Sequence, residues 1–285
     1  MIRILYMSDL HLEMEAWRLA VPGWPAFLAR HREIAAHPSR GPMLDKAGSV
    51  DLVVMAGDIH NGLRGIVYAE QVSDYFSAPV AYVAGNHEYY RQDMAKLLPA
   101  FRASASHSRG RVHFLENETV SFILAGQKLN VLGCTLWTDF ELNGHARTAM
   151  RYAERRMNDY RQIQIGKAEL VPEDTLVRHR ESRLWLHKTL AGLRKTEPDA
   201  RNIIVTHHAP SPKVLGSRTG EIGPAYGSDM LLEFSHLQPA AWIHGHTHYL
   251  HDSVAHGIRL VSAPRGYVVY DGSPALEYRP RVLEL

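Results

Sequence analysis

Five apolar runs in this chain stop at residue types that hold metal ions: "IRILYMSDLHLE", "VDLVVMAGDIHN", "APVAYVAGNHEYY", "RNIIVTHHAPSP" and "AAWIHGHTHYL". Short runs rich in Val, Ile and Ala that end at Gly or a polar cluster read as buried strands followed by tight turns. Two carboxylates (Asp9, Asp58), one amide (Asn86) and four imidazoles (His11, His207, His246, His248) therefore stand at the C-terminal ends of strands. Asp9 and His11, like His246 and His248, are spaced so that both side chains leave one side of an extended segment. Each pair can grip one ion.

Between these runs the chain reads mostly as loop and helix. Ile66, Ala69, Val72, Tyr75 and Phe76 recur at helical spacing, as do Met94, Leu97, Leu98 and Phe101, so two helices are expected to pack on a sheet. Residues 111–137 read as three successive strands turning at "EN" and "AGQ". Residues 14–49, with four prolines and two tryptophans, read as a helix between irregular segments. From 140 to 198 the ligand motifs pause. There Ala146, Met150, Ala153, Met157 and Tyr160 form one apolar stripe, and a second helix is expected over Pro172 to Lys195, opening with "PEDT". Six basic residues between Arg147 and Lys167 face two acids: a solvated helix face, or a guide for an anionic substrate.

Composition excludes several classes. At 285 residues with 45% hydrophobic and 22% charged content, the chain can bury a large core and is not a disordered polymer. The start "MIRILYMSDLH" runs straight into a strand pattern and no window approaches about 18 apolar residues, so secretion and membrane spanning are not expected. The single cysteine, Cys134, cannot pair within the chain and reads as a small core residue in a reducing cytoplasm. A formal charge of +2 does not by itself call for nucleic acid.

Carboxylate, imidazole and amide donors form a mixed nitrogen and oxygen set that suits manganese, iron, cobalt or zinc better than calcium. Seven donors are too many for one catalytic ion with an open position; two divalent ions sharing a carboxylate fit better. In these blocks, taken in order as "SDLHLE", "GDIH", "GNHE", "THHAP" and "GHTH", the sequence resembles the calcineurin-like metallophosphoesterase superfamily from residue 9 to 248. The resemblance implies an α/β fold, a four-layer α-β-β-α sandwich of two mixed β-sheets flanked by helices. It implies one domain over 1–285, with a helical insertion at about 140–198 roofing the site. It assigns Asp9, His11 and His248 to one ion, Asn86, His207 and His246 to the other, and Asp58 as the bridge, with manganese the first expectation. A shared hydroxide would attack phosphorus, and His87 would protonate the leaving oxygen.

Departures matter too. The protein phosphatase branch continues as G-D-x-x-D-R-G, the second Asp orienting the catalytic His, whereas "GDIHNGL" has Asn61 there and no Arg next. Purple acid phosphatases place a Tyr ligand at that same point. With Asn61 neutral, His87 is expected to lack a carboxylate partner and to titrate near the free value. His208 and Asn61 are weak candidates for substrate contacts, and Trp137 and the "MNDYRQI" run are candidates to line the pocket, against core packing and helix capping. His60, His244 and His251 read as structural or solvent-facing. The expected activity is hydrolysis of a phosphodiester or phosphomonoester of a small or nucleotide-like substrate, with no membrane partner. A nuclease like the recombination-repair members is the alternative; a catalytically silent scaffold is weaker, because all seven donors and His87 are present.

Overall fold

The computed structural model describes residues 1–15, 50–267, 270, 275 and 278–285. The helix expected within 14–49 lies, past residue 15, outside the described residues. The apolar runs form two sheets. In the first, β1 (Arg3–Met7), β2 (Leu52–Ala56), β3 (Val80–Val83) and β4 (Val112–Phe114) run parallel, and β11 (Arg281–Glu284) closes the edge antiparallel to β1. In the second, β6 (Gln127–Cys134), β7 (Arg201–Thr206), β8 (Ala241–His244) and β10 (Ile258–Ser262) are parallel. Its edges are β5 (Glu118–Leu124) and β9 (His251–Ala255), both antiparallel. Both sheets are mixed, and β5–β6 is the hairpin expected from the sequence.

Alternation along the strands explains the layering. Ile4, Tyr6, Leu52, Val54, Ala81 and Val83 meet Val131, Ile203, Val205 and Ile243 between the sheets. Leu5, Met7, Val53, Met55 and Tyr82 point the other way, against helices α1 (Arg64–Phe76) and α2 (Met94–His107). On the far face of the second sheet, Leu132, Cys134, Ile204 and Trp242 pack against Leu186 and Leu190, within the helix Pro172–Thr196, and against Phe234. Strands buried on both faces read as unbroken apolar runs rather than as alternating ones. Each fully buried Val or Ile stabilises this arrangement by about 1.5–3 kcal/mol.

Residues 140–198 depart from the expected stripe. Helix α3 (Ala146–Arg156) stops where Met157 turns extended, and a separate turn forms at Asp159–Gln162. Asn158 and Asp159 explain the break, since short polar side chains favour caps and turns over helix interiors. Helix α4 (Pro172–Thr196) follows, its Asp174 carboxylate accepting the Val171 backbone N–H. A small ladder pairs Gln92–Asp93 with Ile163–Ile165, which brings the 158–162 turn beside the loop that follows β3.

Candidate metal centre

All seven predicted donors lie on loops at the C-terminal ends of parallel strands, where open α/β sheets form their crevices. Asp9, His11, Asp58, His246 and His248 have left-handed backbone, with φ between 47° and 67°. For residues other than Gly this costs on the order of 1–3 kcal/mol each and survives only where the surroundings enforce it. Two glycines allow the loops to close up. A Cβ at Gly57, itself at φ 83°, would run into the His207 ring, and one at Gly85 would strike the Asp58 carboxylate. Glu88 ties the same loops together: its carboxylate accepts the N–H groups of Asp58 (2.9 Å), Ile59 (2.8 Å) and Gly85 (2.8 Å) and the Tyr82 hydroxyl (2.6 Å). The Asp9 carboxylate accepts the His246 N–H at 3.0 Å, linking β1 to β8.

The donors divide around Asp58. On one side His11 Nε2 lies 3.0 Å from His248 Nε2, and His248 Nε2 lies 3.4 Å from Asp9 Oδ1. On the other, His207 Nε2 lies 3.0 Å from Asn86 Oδ1 and 3.2 Å from His246 Nδ1. Asp58 turns Oδ2 to His11 (3.8 Å) and Oδ1 to His207 (3.4 Å). Asp9 and Asp58 are 0% and 2% exposed, and buried carboxylates need cationic partners. Burial pushes the Asp58 pKa up, but His207, His87 and His11 outweigh it and hold the group well below its ordinary range. The rings are aimed as well. His207 Nδ1 meets the Ala56 carbonyl at 2.9 Å and His11 Nδ1 meets Glu13 at 3.3 Å, so each Nε2 lone pair can face the cluster. A compact nitrogen and oxygen set with tautomers fixed in this way fits divalent cations.

The calcineurin-like phosphoesterase profile matches residues 2–250. The chain belongs to that family. As a member it is a metal-dependent phosphoester hydrolase, and its His and Asp groups suit a dinuclear divalent site. The phosphoesterase is 26% identical to an uncharacterized protein, L509, of Acanthamoeba polyphaga mimivirus, across 93% of this chain and 92% of that one. In fold it resembles the phosphopantetheinyl hydrolase of Mycobacterium tuberculosis, with a TM-score of 0.65 and 15% identity over 98% of this chain and 95% of that one. It also resembles a dimetal phosphatase from Danio rerio, with a TM-score of 0.55 and 16% identity over 100% and 92%. No helix among the described residues of the phosphoesterase is long and apolar enough to cross a membrane.

One expectation fails. His87 does have a carboxylate partner, and it comes from Glu13 rather than position 61: Glu13 Oε1 lies 2.9 Å from His87 Nδ1. Burial alone would push the imidazole pKa down, but the Asp58 charge and the Glu13 hydrogen bond raise it to about 9. The Glu13 pKa, pushed up by burial, is brought down to about 2 by His11 and His87. The signal stood in "SDLHLE", two residues past His11. Tyr267 was missed too; its hydroxyl is 3.0 Å from His87 Nε2 and its ring stacks on His11. So was Asp159, which accepts from Asn86 Nδ2 (2.8 Å) and the Tyr90 hydroxyl (2.7 Å) and turns Asn86 Oδ1 toward His207.

Two cavities meet at His87. A small pocket of about 110 Å³ touches Asp58, Asn86, His246, Arg156 and Arg218. The Arg218 guanidinium lies over the Tyr226 ring, which stacks on His246. A groove of about 1270 Å³, lined in part by Asn61 and His60, opens on the other side. His208 lines neither. It is packed between Trp137 and His246, with Nδ1 3.2 Å from the Thr135 carbonyl, and burial first, then His207, lowers its pKa to about 3. Trp137 is buried core, while Asn158 and Gln162 of the "MNDYRQI" run do line cavities.

Proposed function

We propose that the protein hydrolyses a phosphodiester or phosphomonoester of a small or nucleotide-like substrate. Asp9, His11 and His248 would hold one divalent ion, Asn86, His207 and His246 the other, and Asp58 both. The observation that carries this reading is the Asp58 carboxylate, whose two oxygens face two separate donor groups while His87 sits within hydrogen-bond reach of the same loops. Manganese is our first choice of ion, with iron, zinc or cobalt next, because the donors are imidazole and oxygen without thiolate. When bound, such ions supply positive charge to the phosphoryl oxygens and a nucleophilic water near neutral pH.

The chain's own groups do the rest. Asp159 and Tyr90 fix the Asn86 amide, so its oxygen keeps facing His207. Glu13 fixes His87 through Nδ1, which directs Nε2 and its proton toward a departing oxygen. Tyr267 borders that nitrogen. Transfer of that proton accounts for roughly 10²- to 10⁴-fold in rate. Arg156 and Arg218 bring positive charge to the small pocket, and half-buried Tyr226 and buried Met157 wall it. We take residues 140–198 as an insertion within one domain and the cytoplasm as the compartment, the latter on the single buried cysteine.

The test is turnover of phosphomonoesters, linear diesters, cyclic nucleotides and single-stranded DNA by manganese-loaded protein. Activity on at least one small phosphoester should vanish on chelation and return with manganese. Full activity of metal-stripped protein would sink the reading, and processive cleavage of DNA with steep salt dependence would move it to a nuclease.

A further inference from the structure

The large groove begins where the small pocket ends. His87, Tyr90, Asn158 and Tyr267 border both, so a phosphoryl group held against Asp58 and His246 has its leaving oxygen at His87 and whatever that oxygen carries in the groove. The volumes are unequal in a telling way. About 110 Å³ has room for the phosphoryl group and little else, while about 1270 Å³ exceeds the roughly 300–1,000 Å³ of ordinary ligand sites.

The groove is also charged. One wall is apolar, with Leu63 from the loop after β2 and Leu97 and Ala100 from α2, and two guanidinium groups, Arg64 and Arg91, stand along it. Among the described residues neither guanidinium has an ion pair or a side-chain hydrogen bond. Among the described residues the acids that line it, Glu13 and Asp93, are already engaged. Glu13 is engaged by His11 and His87, and Asp93 accepts from the Ala95 and Gly166 N–H groups and pairs with Lys96 at 3.2 Å. Arg91 has left-handed backbone at φ 59°, and its N–H donates to the Gln162 carbonyl at 2.7 Å. A residue other than Gly held in that conformation is placed at a cost.

Resting on the phosphoesterase reading above, we propose that the groove is the leaving-group site, and that it takes a bulky alcohol bearing a second phosphate, held by Arg64 and Arg91. Water adds to phosphorus, the P–O bond to the alcohol breaks, and His87 Nε2 gives its proton to the departing oxygen. The products are a phosphate or a small-group phosphomonoester and the phosphorylated alcohol. His87 then regains a proton from solvent. A planar guanidinium binds phosphate in two-point fashion, which suits a terminal phosphate better than a carboxylate.

The test compares kcat/KM for adenosine 3′,5′-bisphosphate and adenosine 5′-monophosphate at the 5′-phosphate, each also supplied as its 5′-methyl diester, with nitrophenyl phosphate and its methyl diester as controls. For whichever ester class turns over, the bisphosphate should be preferred by about tenfold or more, mainly through KM. The Arg64→Ala and Arg91→Ala variants should each lower that ratio, with metal content and thermal midpoint as checks on folding. A ratio near one in the wild type overturns the proposal, as does a preference that survives in both variants. If the controls react while neither adenosine ester does, the groove proposal falls and the phosphoesterase reading stands. If no phosphoester reacts with the metal-loaded protein, the phosphoesterase reading itself has failed.

Discussion

Asp9, His11 and His248 all stand on left-handed backbone, whereas of Asn86, His207 and His246 only His246 does, and Asn86 is held by Asp159. The first group takes Asp9 and His11 from one short motif and His248 from a second, and its supporting carboxylate, Glu13, sits within the first motif. The second gathers donors from three strand ends, and its support, Asp159, arrives from the 140–198 segment, 73 residues beyond Asn86. One half has a local support and the other a long-range one. The two halves should therefore fail differently when perturbed.

The severest break in this comparison is at the residue common to both halves. Asp58→Asn should weaken both ions and lower kcat/KM by on the order of 10³-fold or more, since several kcal/mol of charge stabilisation depends on the ions. Asp9→Asn should hurt less, because the Asp9 carboxylate meets an imidazole of one half only and reaches the other through the His246 backbone N–H. Metal analysis decides: equal content in Asp58→Asn and wild type would remove the bridge. Next, His207→Ala should drop the stoichiometry from two ions to one, while His208→Ala, whose ring is turned into the core, keeps two. The reverse pattern would shift the assignment by one residue.

His87 belongs to neither half, and its loss should leave the metals in place. His87→Ala should slow an alkyl or nucleoside ester by about 10²-fold, because an alkoxide leaves poorly without a proton, and slow a nitrophenyl ester much less. Equal losses on both substrates with two ions bound would make His87 a group that positions the phosphate instead.

What could be read from the chain divides along the same line. The strands and the approach of seven donors were legible because each apolar run carries its own stop signal and its own donors within a few residues. Helices over 64–76, 94–107 and 172–196 were legible from spacing. Asp159 was not, because nothing local marks it as more than a turn residue; its role depends on the ladder that sets Ile163 against Gln92. Glu13 was in view but passed over, because the carboxylate for His87 was sought at position 61. The continuous stripe to Tyr160 failed for the reverse reason: periodicity was present, but Asn158 and Asp159 form a turn that ends it.

The smallest expected effect is also the one that isolates the second half. Asp159→Asn keeps the size of the side chain and an oxygen able to accept from Asn86 Nδ2 and Tyr90, so the fold should persist. It removes the charge that makes those hydrogen bonds strong and gives position 159 a donor of its own. Asn86 can then turn its nitrogen toward His207, which no cation would accept as a ligand. Outer partners of this kind are worth roughly 10- to 100-fold in metal affinity. Because one acceptor remains, the loss should lie near the lower end, about tenfold, and only for the weaker-bound ion in a manganese titration. Glu13→Gln supplies the mirror image, since its carboxylate touches His11 and no donor of the other half. Titrating both variants, and their combination, asks whether each loss stays within its own half. Independent, additive losses are expected for sites that share no partner but Asp58. If Asp159→Asn weakens both ions equally, the 140–198 segment steadies the whole cluster rather than one side of it, and the division drawn here between a local half and a long-range half does not hold.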